Sequence, residues 1–129
     1  MTTATPFLMF QGDAQAAIDL YTTALPDTHV LNMQRHPEPT ANGGTVLLAR
    51  VAICGREFRF SDSPPVHAFT FTPSSSIFID CGSAQELERL FAVLGQSGKV
   101  LMPLDNYGFS QRFGWLNDRF GVSWQLNLP

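Results

Sequence analysis

Long apolar runs are missing from this 129-residue chain, and so is any excess of basic charge. No stretch approaches the roughly 18 apolar residues of a membrane span. The N-terminal residues lack the basic-then-apolar pattern of an export signal, so the expectation is a cytoplasmic protein with no membrane contact. A net charge of −3 and a pI near 5.4 leave no basic footprint for nucleic acid. Cysteine is scarce. Cys54 and Cys81 lie in separate strand-like segments without zinc-type spacing, and both are expected to be reduced and buried. Glycine-rich phosphate loops are absent too: the junctions Gln11-Gly12-Asp13 and Cys81-Gly82-Ser83 carry one glycine each, each a turn plus a helix cap. No spacing supports a Ser-His-Asp or Cys-His arrangement, so no catalytic residue is assigned.

What is present is a repeat. Phe7-Leu8-Met9 runs through Gly12 and Asp13 into Ala14–Tyr21, and Ile77-Phe78-Ile79 runs through Gly82 and Ser83 into Ala84–Phe91. An offset of 70 pairs Ala14 with Ala84, Gln15 with Gln85, Leu20 with Leu90 and Tyr21 with Phe91. Such a repeat predicts one supersecondary unit used twice, with a cavity between the copies. Asp13 is the expected N-cap of the first helix, whose apolar positions Ala17, Leu20, Tyr21 and Ala24 recur at helical spacing until Pro26. Ser83 and Glu86 form a capping box for the second, with Leu87, Leu90, Phe91 and Leu94 as its stripe and Gly95 as terminator.

Strand signals follow each helix: 29–33, 45–53 and 57–60 after the first, then 99–102, 111–117 and 122–126 after the second. The loop from His36 to Gly44 and the one from Pro103 to Tyr107 separate them. The order is strand, helix and three strands, twice. The fold class is α+β, with two βαβββ modules forming curled mixed sheets around a cleft. Module one covers about 5–62, a linker about 63–74, and module two about 75–129, all within one domain. Most of the eleven phenylalanines are expected in the core.

This order resembles the vicinal oxygen chelate superfamily of glyoxalase I, extradiol dioxygenases, and bleomycin and fosfomycin resistance proteins. Four phrases resemble its PhnB-like branch, labelled 3-demethylubiquinone-9 3-methyltransferase: Pro6–Gly12, Val100–Leu104, Arg112–Trp115 and Asp118–Pro129. The resemblance implies two four-stranded sheets and a homodimer, with module exchange between chains open through the linker. The label itself finds little support in the residues, since neither a glycine-rich loop nor an alternating βα pattern is there to hold S-adenosylmethionine.

Metal-dependent relatives hold a divalent ion with His and Glu or Gln from the first and last strands of each module. Carried onto this chain, within one residue, those positions are Pro6, Arg59, Ser76 and Gln125. That set makes no metal site, because proline has no ligating side chain and a guanidinium repels cations. The expectation is no metal and no cofactor. His36 should be solvated, His29 should lie at a strand edge, and His67 lies in the linker near the second module, its reach to the cleft left open by the sequence. Arg59 either forks a carboxylate or phosphate, or pairs with an acid such as Glu57, Asp62 or Asp105. Tyr107, Phe109, Phe113 and Trp115, interleaved with Arg112, could stack on a planar ligand or simply pack as core. The candidate ligand-binding residues are Arg59, Tyr107, Phe109, Arg112, Trp115 and Gln125. The expected function is a metal-free small-molecule binding dimer; the alternatives are a metal-dependent lyase, isomerase or dioxygenase, and a methyltransferase.

Overall fold

The computed structural model describes residues 1–38, 42–64 and 66–129. Residues 39–41 of the expected 36–44 loop, and residue 65 of the linker, lie outside the described residues. The chain divides into two compact units, Met1–Ala68 and Phe69–Pro129.

In the first unit, β1 (Phe7–Phe10), α1 (Ala14–Ala24), β2 (His29–Arg35), β3 (Val46–Ile53) and β4 (Arg56–Asp62) build a sheet of order β1-β4-β3-β2. The second repeats the plan with β5 (Ser76–Asp80), α2 (Ala84–Gly95), β6 (Lys99–Asp105), β7 (Arg112–Asn117) and β8 (Ser123–Leu128), in the order β5-β8-β7-β6. Only β1–β4 and β5–β8 are parallel; the other pairs are antiparallel hairpins. A strand-helix-strand crossover inserts the first strand beside the fourth, and each helix covers one face of its own sheet.

Each helix buries a single stripe. Ala17, Ile18, Tyr21, Ala24 and Leu25 are buried on the first, and Leu87, Leu90 and Leu94 on the second. Burying each of those leucines fully contributes about 1.5–3 kcal/mol. Leu20 stays half-exposed, contrary to its expected place in the stripe, because Ile18 occupies the position between Ala14 and Tyr21 that faces the sheet. The buried positions therefore repeat at an offset of 69 (Ile18 to Leu87, Tyr21 to Leu90, Leu25 to Leu94), one residue short of the sequence offset. In the second unit Gly114 lets the helix approach: a Cβ there would stand 2.5 Å from the Phe91 ring and 2.7 Å from Leu104.

The two helix N-termini are capped by different means. Ser83 Oγ accepts from the Glu86 amide at 3.1 Å as expected, while Glu86 Oε1 reaches one residue past the cap and accepts from Gly82 N at 3.1 Å. Asp13 makes no such bond. The buried carboxylate of Asp62, at the end of β4, accepts from Gly12 N (2.8 Å) and Ala14 N (3.0 Å) through Oδ1, and from Val46 N (2.9 Å) through Oδ2. Asp62 thus ties the start of α1 to the start of β3.

Other expectations also shift. Cys54 is exposed, because it forms with Gly55 the two-residue turn between β3 and β4, both at positive φ (50° and 82°) as a type I′ hairpin demands. Cys81 is buried as expected. Gly95 is the last helical residue rather than the terminator; Ser97, at φ 61°, makes the left-handed turn instead. The loop expected from Pro103 is strand to Asp105, since β6 is an edge strand where a proline costs no ladder bond. Four of the eleven phenylalanines are buried: Phe10, Phe58, Phe60 and Phe113. The others lie partly or largely on the surface because strand alternation turns Phe7 and Phe78 away from the helices.

Candidate functional site

The sheet face that carries no helix is where strand alternation gathers unusual residues. In the second unit the helix side is fixed by contacts. A Cβ on Gly114 would meet Phe91, Leu116 reaches Gly95, and these strand positions pair with Leu126 and Trp124, both fully buried. Alternation sends Phe113, Trp115, Ser123, Gln125 and Asn127 to the opposite side, with Ser76 and Phe78 beside them on β5.

Trp115, Ser123, Ser76 and Gln125 form a hydrogen-bonded chain on that side. The Trp115 indole donates to Ser123 Oγ (2.7 Å), the two serine hydroxyls lie 2.6 Å apart, and Gln125 Nε2 donates to Ser76 Oγ at 3.2 Å. Ser123 is 1% exposed, so its proton has to go to Ser76 rather than stay buried and unmet. Ser76, half-buried, then accepts twice and points its own proton at the Pro73 carbonyl across 3.5 Å, a long bond that a ligand acceptor can replace. Beside it the Gln125 side chain offers an amide carbonyl. The chain presents a donor and an acceptor next to each other.

Aromatic rings flank this pair. Phe113 stacks on Phe78 (centroids 6.2 Å apart, 29° between planes) and meets Phe109 at 5.1 Å and Tyr107 at 6.1 Å, both edge-to-face. Tyr107 is held by a hydroxyl bond to the Pro103 carbonyl (2.6 Å). Asn127 donates to Asp80 at 2.9 Å, while its buried Oδ1 has no partner among the described residues. Of the sequence-predicted site residues, the structure therefore brings Tyr107, Phe109, Trp115 and Gln125 to one face. Arg112 is on the other, its guanidinium 2.6 Å from Glu88 of α2. An offset of two residues puts Arg112 and Gly114 on the same side of a pleated strand, the helix side.

The corresponding face of the first sheet is charged. Phe60 lies against Tyr21 of α1 (6.0 Å), so Glu57, Arg59 and Ser61 point away from the helix. Arg50 joins them from β3, directly across from Arg59, and makes a two-pronged pair with Glu57: Nη2 to Oε1 at 2.8 Å and Nε to Oε2 at 3.2 Å. Arg59 Nε stands 3.6 Å from Glu57 Oε2, an ion pair without a hydrogen bond. The neighbour of Arg59 on β1 is Phe7, while Pro6 uses its carbonyl to accept from Arg59 N (2.9 Å). The one-residue uncertainty in the expected register thus resolves to Phe7 on the open face.

Hydrogen bonding to Arg50 chiefly holds the Glu57 carboxyl below the ordinary glutamate range, with the Arg50 and Arg59 charges adding and desolvation opposing. A depressed folded-state value means that the contribution is present above the unfolded pKa and fades as pH falls through the folded one. A carbon-13 titration is therefore expected to place the Glu57 midpoint below that of an exposed glutamate, and Arg50→Gln to move it upward. An ordinary midpoint in the intact protein would contradict the pair.

The residues do not fit a divalent metal. Phe7 and Pro6 offer no ligating side chain, Arg59 is cationic, and Ser76 and Gln125 are bonded to each other. No group of three or more His, Cys, Asp or Glu able to hold an ion occurs among the described residues. His36, expected in solvent, is half-buried, with Nε2 2.8 Å from the Asp62 carbonyl oxygen. His29 and His67 are exposed. Ser123 and Arg50 escape the sequence reading, and Phe78 with them. The polar–apolar alternation of Ser123-Trp124-Gln125-Leu126-Asn127 carried the first, and the only charge inside the apolar run 46–53 carried the second.

Comparison with known proteins agrees with this architecture. The family model described as 3-demethylubiquinone-9 3-methyltransferase matches residues 2–127. A solved structure of PhnB protein from Bacillus cereus, which carries the same methyltransferase description, is 42% identical, with a TM-score of 0.94 over 99% of this chain and 100% of that one. Protein YjdN of Escherichia coli is 25% identical, covering 95% of this chain and 92% of its own length. At the level of fold alone, a member of the glyoxalase/bleomycin resistance protein/dioxygenase superfamily from Sphaerobacter thermophilus aligns over 100% of this chain and 99% of its own, with 14% identity and a TM-score of 0.59.

Proposed function

The chain belongs to the family described as 3-demethylubiquinone-9 3-methyltransferase, and from that premise we propose that it binds a small planar molecule without a metal. The ligand lies on the helix-free face of the second sheet. The observation that carries this reading is the Trp115–Ser123–Ser76–Gln125 chain beside the Phe78, Phe113, Phe109 and Tyr107 rings. Rings supply a stacking surface, and the Ser76 hydroxyl with the Gln125 carbonyl matches an amide-like edge, such as that of a lactam or imide. The chain works as a cytoplasmic homodimer, as its resemblance to the bleomycin resistance proteins implies. No helix among the described residues is long and apolar enough to cross a membrane.

The methyltransferase description is the competing reading. Against it stands the sheet topology: each sheet has one parallel pair and two antiparallel ones, so no doubly wound crevice forms at a glycine-rich turn. A metal-dependent lyase, isomerase or dioxygenase is opposed by the donor set described above.

The test is a panel of planar heteroaromatic amides titrated into the purified protein, read by indole fluorescence with Trp115→Phe identifying the reporter. Binding that is indifferent to EDTA and weakens about tenfold in Gln125→Ala is the expected result, since one hydrogen bond to a ligand in a shielded site is worth about 1–1.5 kcal/mol. Stoichiometric transition metal in the protein as isolated, or calorimetric binding of S-adenosylmethionine, would replace this reading with one of its competitors. Light scattering should give a mass near twice 14.2 kDa.

A further inference from the structure

Two arginines and one glutamate leave the helix-free face of the first sheet one positive charge in excess. Arg50 and Arg59 are direct cross-strand partners, an arrangement that is unfavourable for like charges. Glu57 hydrogen-bonds only one of them, giving both of its oxygens to Arg50. Arg59 is left with an ion-pair contact through Nε at 3.6 Å, and no hydrogen bond from the described residues occupies its two terminal nitrogens. Its side chain is 44% exposed. Next to it on β1 stands Phe7, 54% exposed, followed on the same face by Met9. An open depression of about 500 Å³ lies against Ala4, Thr5, Pro6, Arg56 and Glu57 at the end of these strands.

We infer that this face is a second ligand site, which takes an organic monocarboxylate with an aryl or other apolar body. The carboxylate pairs with the terminal fork of Arg59, and the body lies on Phe7 and Met9. A guanidinium fork matches the two oxygens of a carboxylate, and an apolar wall beside it favours an organic anion over an inorganic one. One excess charge matches one carboxylate. This site uses different residues and chemistry from the second-sheet site, and it stands whether or not that one does.

The experiment follows the backbone amides of nitrogen-15-labelled protein during titration with 2-naphthoate, with 2-naphthamide and inorganic phosphate as the other arms. Naphthoate is expected to shift Phe7, Arg50, Glu57 and Arg59, more weakly at high salt, while the neutral amide leaves those residues unmoved. Arg59→Gln should weaken binding about tenfold or more, with Arg59→Lys recovering only part because an ammonium cannot present a fork. Glu57→Gln should tighten binding several-fold by removing the competing carboxylate, and Arg50→Gln should weaken it by releasing Glu57 to Arg59. The inference is overturned if Arg59→Gln binds naphthoate as the unmodified protein does. It is also overturned if Glu57→Gln fails to tighten binding, or if the amide or phosphate moves the same residues as strongly. Shifts at Trp115 and Gln125 report the second-sheet site separately, so the two readings fail independently.

Discussion

Asp62→Ala is expected to destabilise the protein by about 3–6 kcal/mol. The substitution leaves the amides of Gly12, Ala14 and Val46 without their acceptor, and each buried donor stripped of its partner costs about 1–3 kcal/mol. A domain of this size has about 5–15 kcal/mol in total, so most of the population could be lost at 37 °C. Asp62→Asn should fall between: its carbonyl oxygen can still serve Gly12 and Ala14, but its amide group then faces the Val46 donor. Asp13→Ala should cost less than about 0.5 kcal/mol, because that carboxylate caps nothing. Urea unfolding of the three variants, with hydrogen exchange at the Gly12, Ala14 and Val46 amides, checks the order. An Asp13 variant as damaged as the Asp62 one would refute the assignment.

Gly98→Ala is expected to cost about 3 kcal/mol or more, although it adds a single methyl group to an exposed turn. A Cβ at that position would stand 2.2 Å from the backbone oxygen of Asn117, and within 3.0–3.1 Å of Asp118 backbone atoms. Backbone cannot rotate aside as a side chain can. Relief requires pulling the start of β6 away from β7, where Lys99 pairs with Asn117. The neighbouring Asp118 carboxylate would be disturbed as well, since it is buried and holds the Phe120 and Val122 amides and the Trp124 indole. A melting temperature lowered by more than about 8 °C is the expected readout, taking roughly 3–5 °C per kcal/mol for a domain of this length. An unchanged melting temperature would mean that the hairpin has slack which the close approach denies.

Both effects fall where the sequence was hard to read. The Ser83–Glu86 box is local, three residues apart, and was legible as written. The Asp62 cap reaches back about fifty residues, and only the pairing of β1 with β4 puts the carboxylate in place. Asp13 looked adequate because propensity scores a position without knowing which competitor will arrive. The fold class followed from the repeat, since element order and type depend on periodicity that each segment carries by itself. Its fine register did not: a slip of one residue separates Pro6 from Phe7 and turns the open face from a backbone carbonyl to a ring. The Arg112 placement was recoverable, because strict alternation from Trp115 and Phe113 puts it on the helix side. Grouping it with the aromatics followed proximity in the chain, where parity within the strand was the better guide. Cys54 was misplaced for a related reason, its apolar neighbours suggesting a strand interior that the Gly55 turn had already ended.

The contrast between the two caps has a consequence for how the chain comes together in time. A box closed within one helical turn forms as fast as the helix itself, so the cap of α2 needs no strand to be in place. The start of α1 has to wait until β4 has been made, joined to β3 and brought alongside β1, because its anchoring carboxylate arrives with β4. Closing a loop of that length costs entropy before any bond returns it, and topologies dominated by such closures fold slowly. The two halves share an architecture and the same long closure of first strand on last, and they differ in whether the helix start depends on that closure.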